Sequence, residues 1–142
     1  MTTPAALPEG VQLTRRQRAA ALAAVAVARV LAHLPPRHIR IVLNQLRRRA
    51  KPATRGHVQH IRDAVVSVSL RCAGEGCLQR SLAVVVLCRT RGTWPTWCIG
   101  VRTEPFSGHA WVEVDDQPVG EPHPAGYYRP LITIPPELTG RR

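Results

Sequence analysis

Cys77 stands directly after Gly74-Glu75-Gly76 and opens an apolar run through Leu78, Leu82, Val85, Val86 and Leu87. A thiol delivered by flexible glycines to the first turn of a helix is placed for nucleophilic work. Free cysteine, with a pKa of about 8.5, is only about 3% thiolate at pH 7, whereas the unpaired amides and positive dipole end of a helix N-terminus lower that pKa. Cysteine is also a common core residue, so this placement alone does not separate a nucleophile from a buried structural thiol.

A thiol nucleophile needs a base, and His109 begins the alternating stretch His109-Ala110-Trp111-Val112-Glu113-Val114, which reads as a half-buried strand. An imidazole there is costly to bury without a partner. The plainer alternative is a histidine bonded to backbone at a strand end. To act as a base it requires a third group, accepting from one ring nitrogen so that the other faces the sulfur. Asp115, Asp116 and Glu121 follow closely. Asp115 and Asp116 lie with Gln117 and Pro118 in what reads as a turn, where aspartate is expected for local hydrogen bonding alone. Glu121 falls on the returning strand. A three-residue connection sets Val114 opposite Pro118 and Trp111 opposite Glu121, making Glu121 a diagonal neighbour of His109 on one face. A two-residue connection sends Glu121 to the other face. The triad therefore demands an odd-length turn or a bulge, with Glu121 as the expected third member and Asp116 as its competitor. Trp111 shares the face of His109, as core or as groove lining.

Other chemistry finds less support. His57 and His60, three apart on one helical face, form a zinc set with Cys72 and Cys77, but the Cys-x4-Cys spacing is loose and the metal would consume the nucleophile. No metal or cofactor is expected. No Gly-rich loop follows a strand, which excludes the nucleotide-binding templates. The net charge is +11, and every basic residue except Lys51 is arginine, a side chain suited to carboxylate or phosphate. These arginines are scattered rather than striped, so a solvated basic surface is favoured over nucleic-acid binding. Cys88 and Cys98 lie in apolar stretches where a free thiol packs like a small hydrophobe; all four cysteines are read as reduced and the compartment as cytoplasmic. Arg15, Arg16 and Arg18 followed by Ala19 to Ala28 mimic a signal peptide, but Arg29 interrupts the run and the segment is too short and amphipathic to span a bilayer.

The elements that must position these residues are helices first and strands afterwards. Residues 1–13 read as a mobile lead-in and residues 14–53 as a helical region. Thr14 caps a helix over Arg15 to Leu34 with Leu22, Val25, Val30 and Leu31, together with several Ala, as apolar positions, ended by Pro35 and Pro36. A second, Arg37 to Arg49, is expected to turn Ile41, Val42 and Leu46 inward, its basic last turn from Arg47 to Lys51 complementing the helix dipole. Residues 54–136 form the expected core and 137–142 a tail. In the core, Thr54 caps a third helix reaching about Leu70, with Val58, Ile61, Val65 and Val68 inward. The fourth, from Cys77 to a stop at Gly92, is apolar on most faces and so belongs at the centre. After Pro95 come β-prone runs over Trp97 to Val101, His109 to Val114 and Arg129 to Ile134. The fold class is α+β, helices packed on a C-terminal antiparallel sheet.

Cys77-Leu78-Gln79-Arg80-Ser81-Leu82-Ala83, Gly100-Val101, Pro105-Phe106, His109-Ala110-Trp111-Val112-Glu113 and Pro118-Val119-Gly120-Glu121 together resemble the leader peptidases of lasso-peptide biosynthesis. These are the transglutaminase-like half of the split maturation protein, and the likeness runs from about Asp63 to Ile134. It implies a transglutaminase-like, papain-like cysteine peptidase core. The implied task is removal of the leader from a ribosomally made precursor, after which an ATP-dependent cyclase closes the exposed N-terminus onto a side-chain carboxylate. The resemblance gives Cys77 the role of nucleophile and His109 that of base, and puts Glu121 where the family usually has Asp. Gly108 stands where Ala is commoner. Nothing in the first fifty residues resembles the family's leader-binding module, so a separate leader-recognition protein is the implied partner, with the cyclase as a further contact. Arg80 and Ser81 have no derivable role. Acyl transfer to an amine, or a non-catalytic peptide-binding module of the same fold, are the alternatives.

Overall fold

The computed structural model describes residues 12–69, 72 and 76–137. Most of the expected lead-in, Leu70, the Gly74-Glu75 pair and the tail from residue 138 lie outside them. Thr14 caps α1 (Arg15–Leu31) reciprocally: its hydroxyl accepts from the Gln17 N–H, and the Gln17 side chain accepts from the Thr14 N–H. Pro36 opens α2 (Pro36–Leu46), where its missing N–H is no loss. Thr54 caps α3 (Arg55–Val68) by accepting from His57. α4 (Cys77–Thr90) is buried on almost every side from Gln79 to Cys88.

Two short strands, β1 (Lys51–Pro52) and β2 (Thr93–Trp94), pair in parallel. The main sheet contains β3 (Thr96–Thr103), β4 (Phe106–Val114), β5 (Gln117–Pro118) and β6 (Arg129–Ile134), all antiparallel, in the order β5-β4-β3-β6. The α+β class holds, with α4 packed between α1 and α3 on one side and β4 on the other. Two tryptophans lock this arrangement. Trp97 on β3 donates its indole N–H to the Ser81 hydroxyl on α4 at 3.0 Å, and Trp94 donates to the Ile134 carbonyl at 3.1 Å, both rings fully buried. Ser81 thereby gains a structural role, because an unpaired buried indole N–H costs about 1–3 kcal/mol.

Three expectations for the first helices are corrected. α1 turns its alanines inward: Ala21, Ala24, Ala28 and Leu31 are buried, while Leu22 and Val30 are 47% and 68% exposed. Small side chains let α1 lie close on α4, which a stripe of Leu and Val would hold away. In α2 the inward residues are Ile39 and Leu43, and Ile41 is exposed. α2 also stops at Leu46, before the basic cluster, and Lys51 belongs to β1. Its carbonyl end is satisfied instead from α4, where Arg89 Nε donates to the Leu46 carbonyl at 2.6 Å.

Candidate active site

Cys77 is the first residue of α4, behind the N-cap Gly76. The first intrahelical bond runs from the Arg80 N–H to the Gly76 carbonyl. The amides of Cys77, Leu78 and Gln79 therefore precede the hydrogen-bonded ladder and form the positive end of the helix. This end abuts β4, so that His109 and the Ala110 N–H both hydrogen-bond the Cys77 sulfur. His109 Nε2 lies 3.0 Å from Glu121 Oε2. With Nε2 so engaged, Nδ1 is the nitrogen left for the sulfur. The structure thus brings Cys77, His109 and Glu121 into one hydrogen-bonded chain.

The hairpin achieves this by a route other than the one the sequence suggests. Asp115 and Asp116 form a two-residue turn, both at positive φ (53° and 64°), with Val114 paired to Gln117 and Glu113 to Pro118. Continued regularly, that register puts Glu121 opposite Ala110, on the wrong face. Pairing continues to the Val119 N–H, which donates to Val112 at 3.0 Å. Gly120, at φ +68°, then turns the chain and swings Glu121 back to His109. An odd-length turn is not needed. Asp116 is exposed in the turn, and it is Glu121 that meets the ring.

Two arginines on neighbouring helices back the carboxylate. Arg80 Nη2 of α4 lies 3.8 Å from Glu121 Oε1, both side chains about nine-tenths buried, and Arg80 Nη1 donates to the Cys72 carbonyl at 3.0 Å. Arg62 of α3 packs its side chain against Gly120 and shares the field of Glu121 and Arg80. The sequence offered no signal for Arg62, and Arg80 was visible only as part of a recognisable string. Tyr128 was likewise missed; it stacks on His109 at 4.8 Å between ring centroids, and Trp111 stacks at 5.9 Å. Trp111 itself is buried, its indole N–H on Glu113 Oε2 at 3.1 Å.

The electrostatics follow from these contacts. Burial alone pushes the Cys77 thiol up, but the hydrogen bonds from His109 and the Ala110 amide, with the charges of His109 and Arg80, outweigh it and hold the thiol below its ordinary value. Burial likewise pulls His109 down, yet bonding to Cys77 and Glu121 and their negative charges raise it to about 9. Both shifts run towards the charged pair, a thiolate beside an imidazolium. Cys88 and Cys98 show the contrast: burial drives each up to about 12, leaving them inert. Cys77, Cys88 and Cys98 are in no disulfide.

The zinc alternative is not assembled. Among the described residues no group of three or more His, Cys, Asp or Glu side chains gathers to hold a metal ion, and Cys77 is engaged by His109. Among the same residues no helix is long and apolar enough to cross a membrane.

Compared with known proteins, residues 21–133 match the family model described as Transglutaminase-like superfamily. No curated protein and no solved structure matches the chain.

Proposed function

Because the chain belongs to the transglutaminase-like superfamily, we propose that it is a cysteine peptidase that removes the leader from a ribosomally made lasso-peptide precursor, delivered by a separate leader-recognition protein. The observation that carries this proposal is the hydrogen-bonded chain Cys77–His109–Glu121 at the head of a buried helix.

In the proposed reaction the Cys77 thiolate attacks the carbonyl carbon at the leader's end, forming a carbon–sulfur bond. The oxyanion develops beside the free amides at the start of α4, where the Cys77 N–H is a donor. His109 gives its proton to the departing amine of the core peptide as the carbon–nitrogen bond breaks. Water then attacks the thioester, passes one proton to His109 and releases the leader as a carboxylic acid that gives its own proton to solvent, restoring thiolate and imidazolium. Glu121 keeps the ring oriented and stabilises its positive form. The exposed Leu22, Val27 and Val30 on α1 offer an apolar face on which the recognition protein, with the cyclase nearby, would dock.

The test is a reconstituted assay with precursor and recognition protein. Cys77→Ala should fold and release no leader. Full leader removal by that variant would rule the mechanism out, and appearance of an amide instead of the free carboxylate would assign acyl transfer.

A further inference from the structure

The head of α4 borders a cleft of about 360 Å3 on the helix-facing side of the sheet. Leu78, next to Cys77, forms one wall; Ile99 and Val101 of β3 and Ile132 of β6 form the other, over a floor of Gly108 and Ala110. The register explains why these meet. Ile99 pairs with Ala110 and with Ile132, and Val101 pairs with Gly108, so all of them point to the same side of the pleat. The lining is almost wholly apolar, and Leu131, 64% exposed, stands at its mouth.

Two glycines here serve different ends. A Cβ on Gly100 would strike the Arg129 carbonyl and come within 2.9 Å of the Trp111 ring, so packing demands glycine there. A Cβ on Gly108 would meet only the Gly100 carbonyl oxygen at 4.0 Å, an ordinary contact, with the cleft beyond it. The space over Gly108 is volume the fold does not require.

We propose that this cleft receives an aliphatic side chain of the substrate, from a residue flanking the bond that Cys77 attacks. This rests on the peptidase reading and adds the chemical class of residue selected. Each methylene seated there leaves water for an apolar wall. A charged side chain would lose its hydration against the aliphatic walls, while Cys77 and His109 at the cleft's edge are already paired with each other.

The test uses the full-length chain and peptidyl chloromethyl ketones, with which the Cys77 sulfur forms a thioether as chloride leaves. Leu, Ala, Lys or Glu is placed at the residue bearing the ketone or at the one before it, and labelling rates are taken by intact mass relative to iodoacetamide. At one of these positions Leu should react about tenfold or more faster than Glu or Lys. Gly108→Leu, filling the cleft from its floor, should abolish that preference. Val101→Glu should shift it towards Lys, which keeps the idea testable if the first variant fails to fold. Equal rates at both positions in the wild type, or a preference that survives both variants, would overturn the cleft assignment and leave the peptidase reading standing. If no peptidyl ketone outpaces iodoacetamide, both fall together.

Discussion

Nε2 of His109 lies 3.0 Å from Oε2 of Glu121, although the two-residue hairpin that joins their strands has the register that would point the two side chains apart. Gly120 resolves the conflict by taking φ +68° directly before Glu121. Its missing side chain also makes room for Arg62, since a Cβ there would strike the Arg62 Cδ.

Gly120→Ala is therefore expected to lose about 1–2 kcal/mol from the left-handed backbone alone, with a further loss as Arg62 is displaced. Urea unfolding measures that part. Peptide cleavage should fall further than the stability loss accounts for, because the carboxylate moves off the ring. A folded Gly120→Ala protein with unchanged cleavage would show that the turn does not position Glu121.

Glu121→Gln keeps a hydrogen-bonding oxygen near His109 but removes a charge that, after the bond to Cys77, helps to raise the ring's pKa. The His109 pKa should drop from about 9, and with a weaker imidazolium the Cys77 thiolate loses its main partner. Cleavage is expected to fall about 100-fold, while Glu121→Asp, shorter by one methylene, should retain more. NMR titration of the His109 ring gives the first quantity and steady-state kinetics the second. A ring pKa unmoved in Glu121→Gln would mean the carboxylate's charge is not what holds it up.

Arg80 acts at one remove. It holds Glu121 Oε1 from behind and anchors to the Cys72 carbonyl. Arg80→Met leaves the buried carboxylate with His109 and Arg62 as its cationic neighbours, a change of the kind that costs about 3–5 kcal/mol when one partner of a buried pair is removed. Beyond stability, the acid limb of the cleavage pH profile should move upward, since Arg80 also helps to lower the Cys77 thiol. Destabilisation with an unmoved pH profile would reduce Arg80 to a structural prop.

Much of this was legible in the residues. The capping threonines, the apolar run after Cys77 and the strand of His109 to Val114 each follow from local rules, and the observed elements start or end within a few residues of those expectations. The pairing of Cys77 with His109 was legible only because helix head and strand start are chemically expressive places. What stayed hidden depends on contacts distant in sequence. Whether Ala21 or Leu22 faces inward is decided by how closely α1 approaches α4, and the periodicity of an Ala-rich helix does not encode that distance. Arg62 reaches the site from α3, across a sequence gap of almost sixty residues from Glu121, with no motif to announce it. Gly120 was read as part of a string, and its conformational role emerged only with the register in hand.

The last expectation concerns pH. Cys77 is held below its ordinary thiol value and His109 is raised to about 9, so the thiolate–imidazolium pair exists between those limits. Cleavage should rise as the pH climbs through the lowered thiol pKa. It should fall as the pH passes about 9, where His109 gives up the proton it owes the leaving amine. The stability carried by His109 has a matching sign: its folded pKa lies above the ordinary 6.5, so its contribution is complete below 6.5 and is lost as pH rises through about 9. His109→Ala leaves burial as the dominant influence on Cys77 and returns the thiol upward. Alkylation by iodoacetamide at pH 7 should then slow by about tenfold or more, because the thiolate is the reactive form. A His109→Ala protein that is alkylated as fast as the wild type at pH 7 would show that the imidazole does not activate the sulfur, and the proposed peptidase chemistry would lose its base.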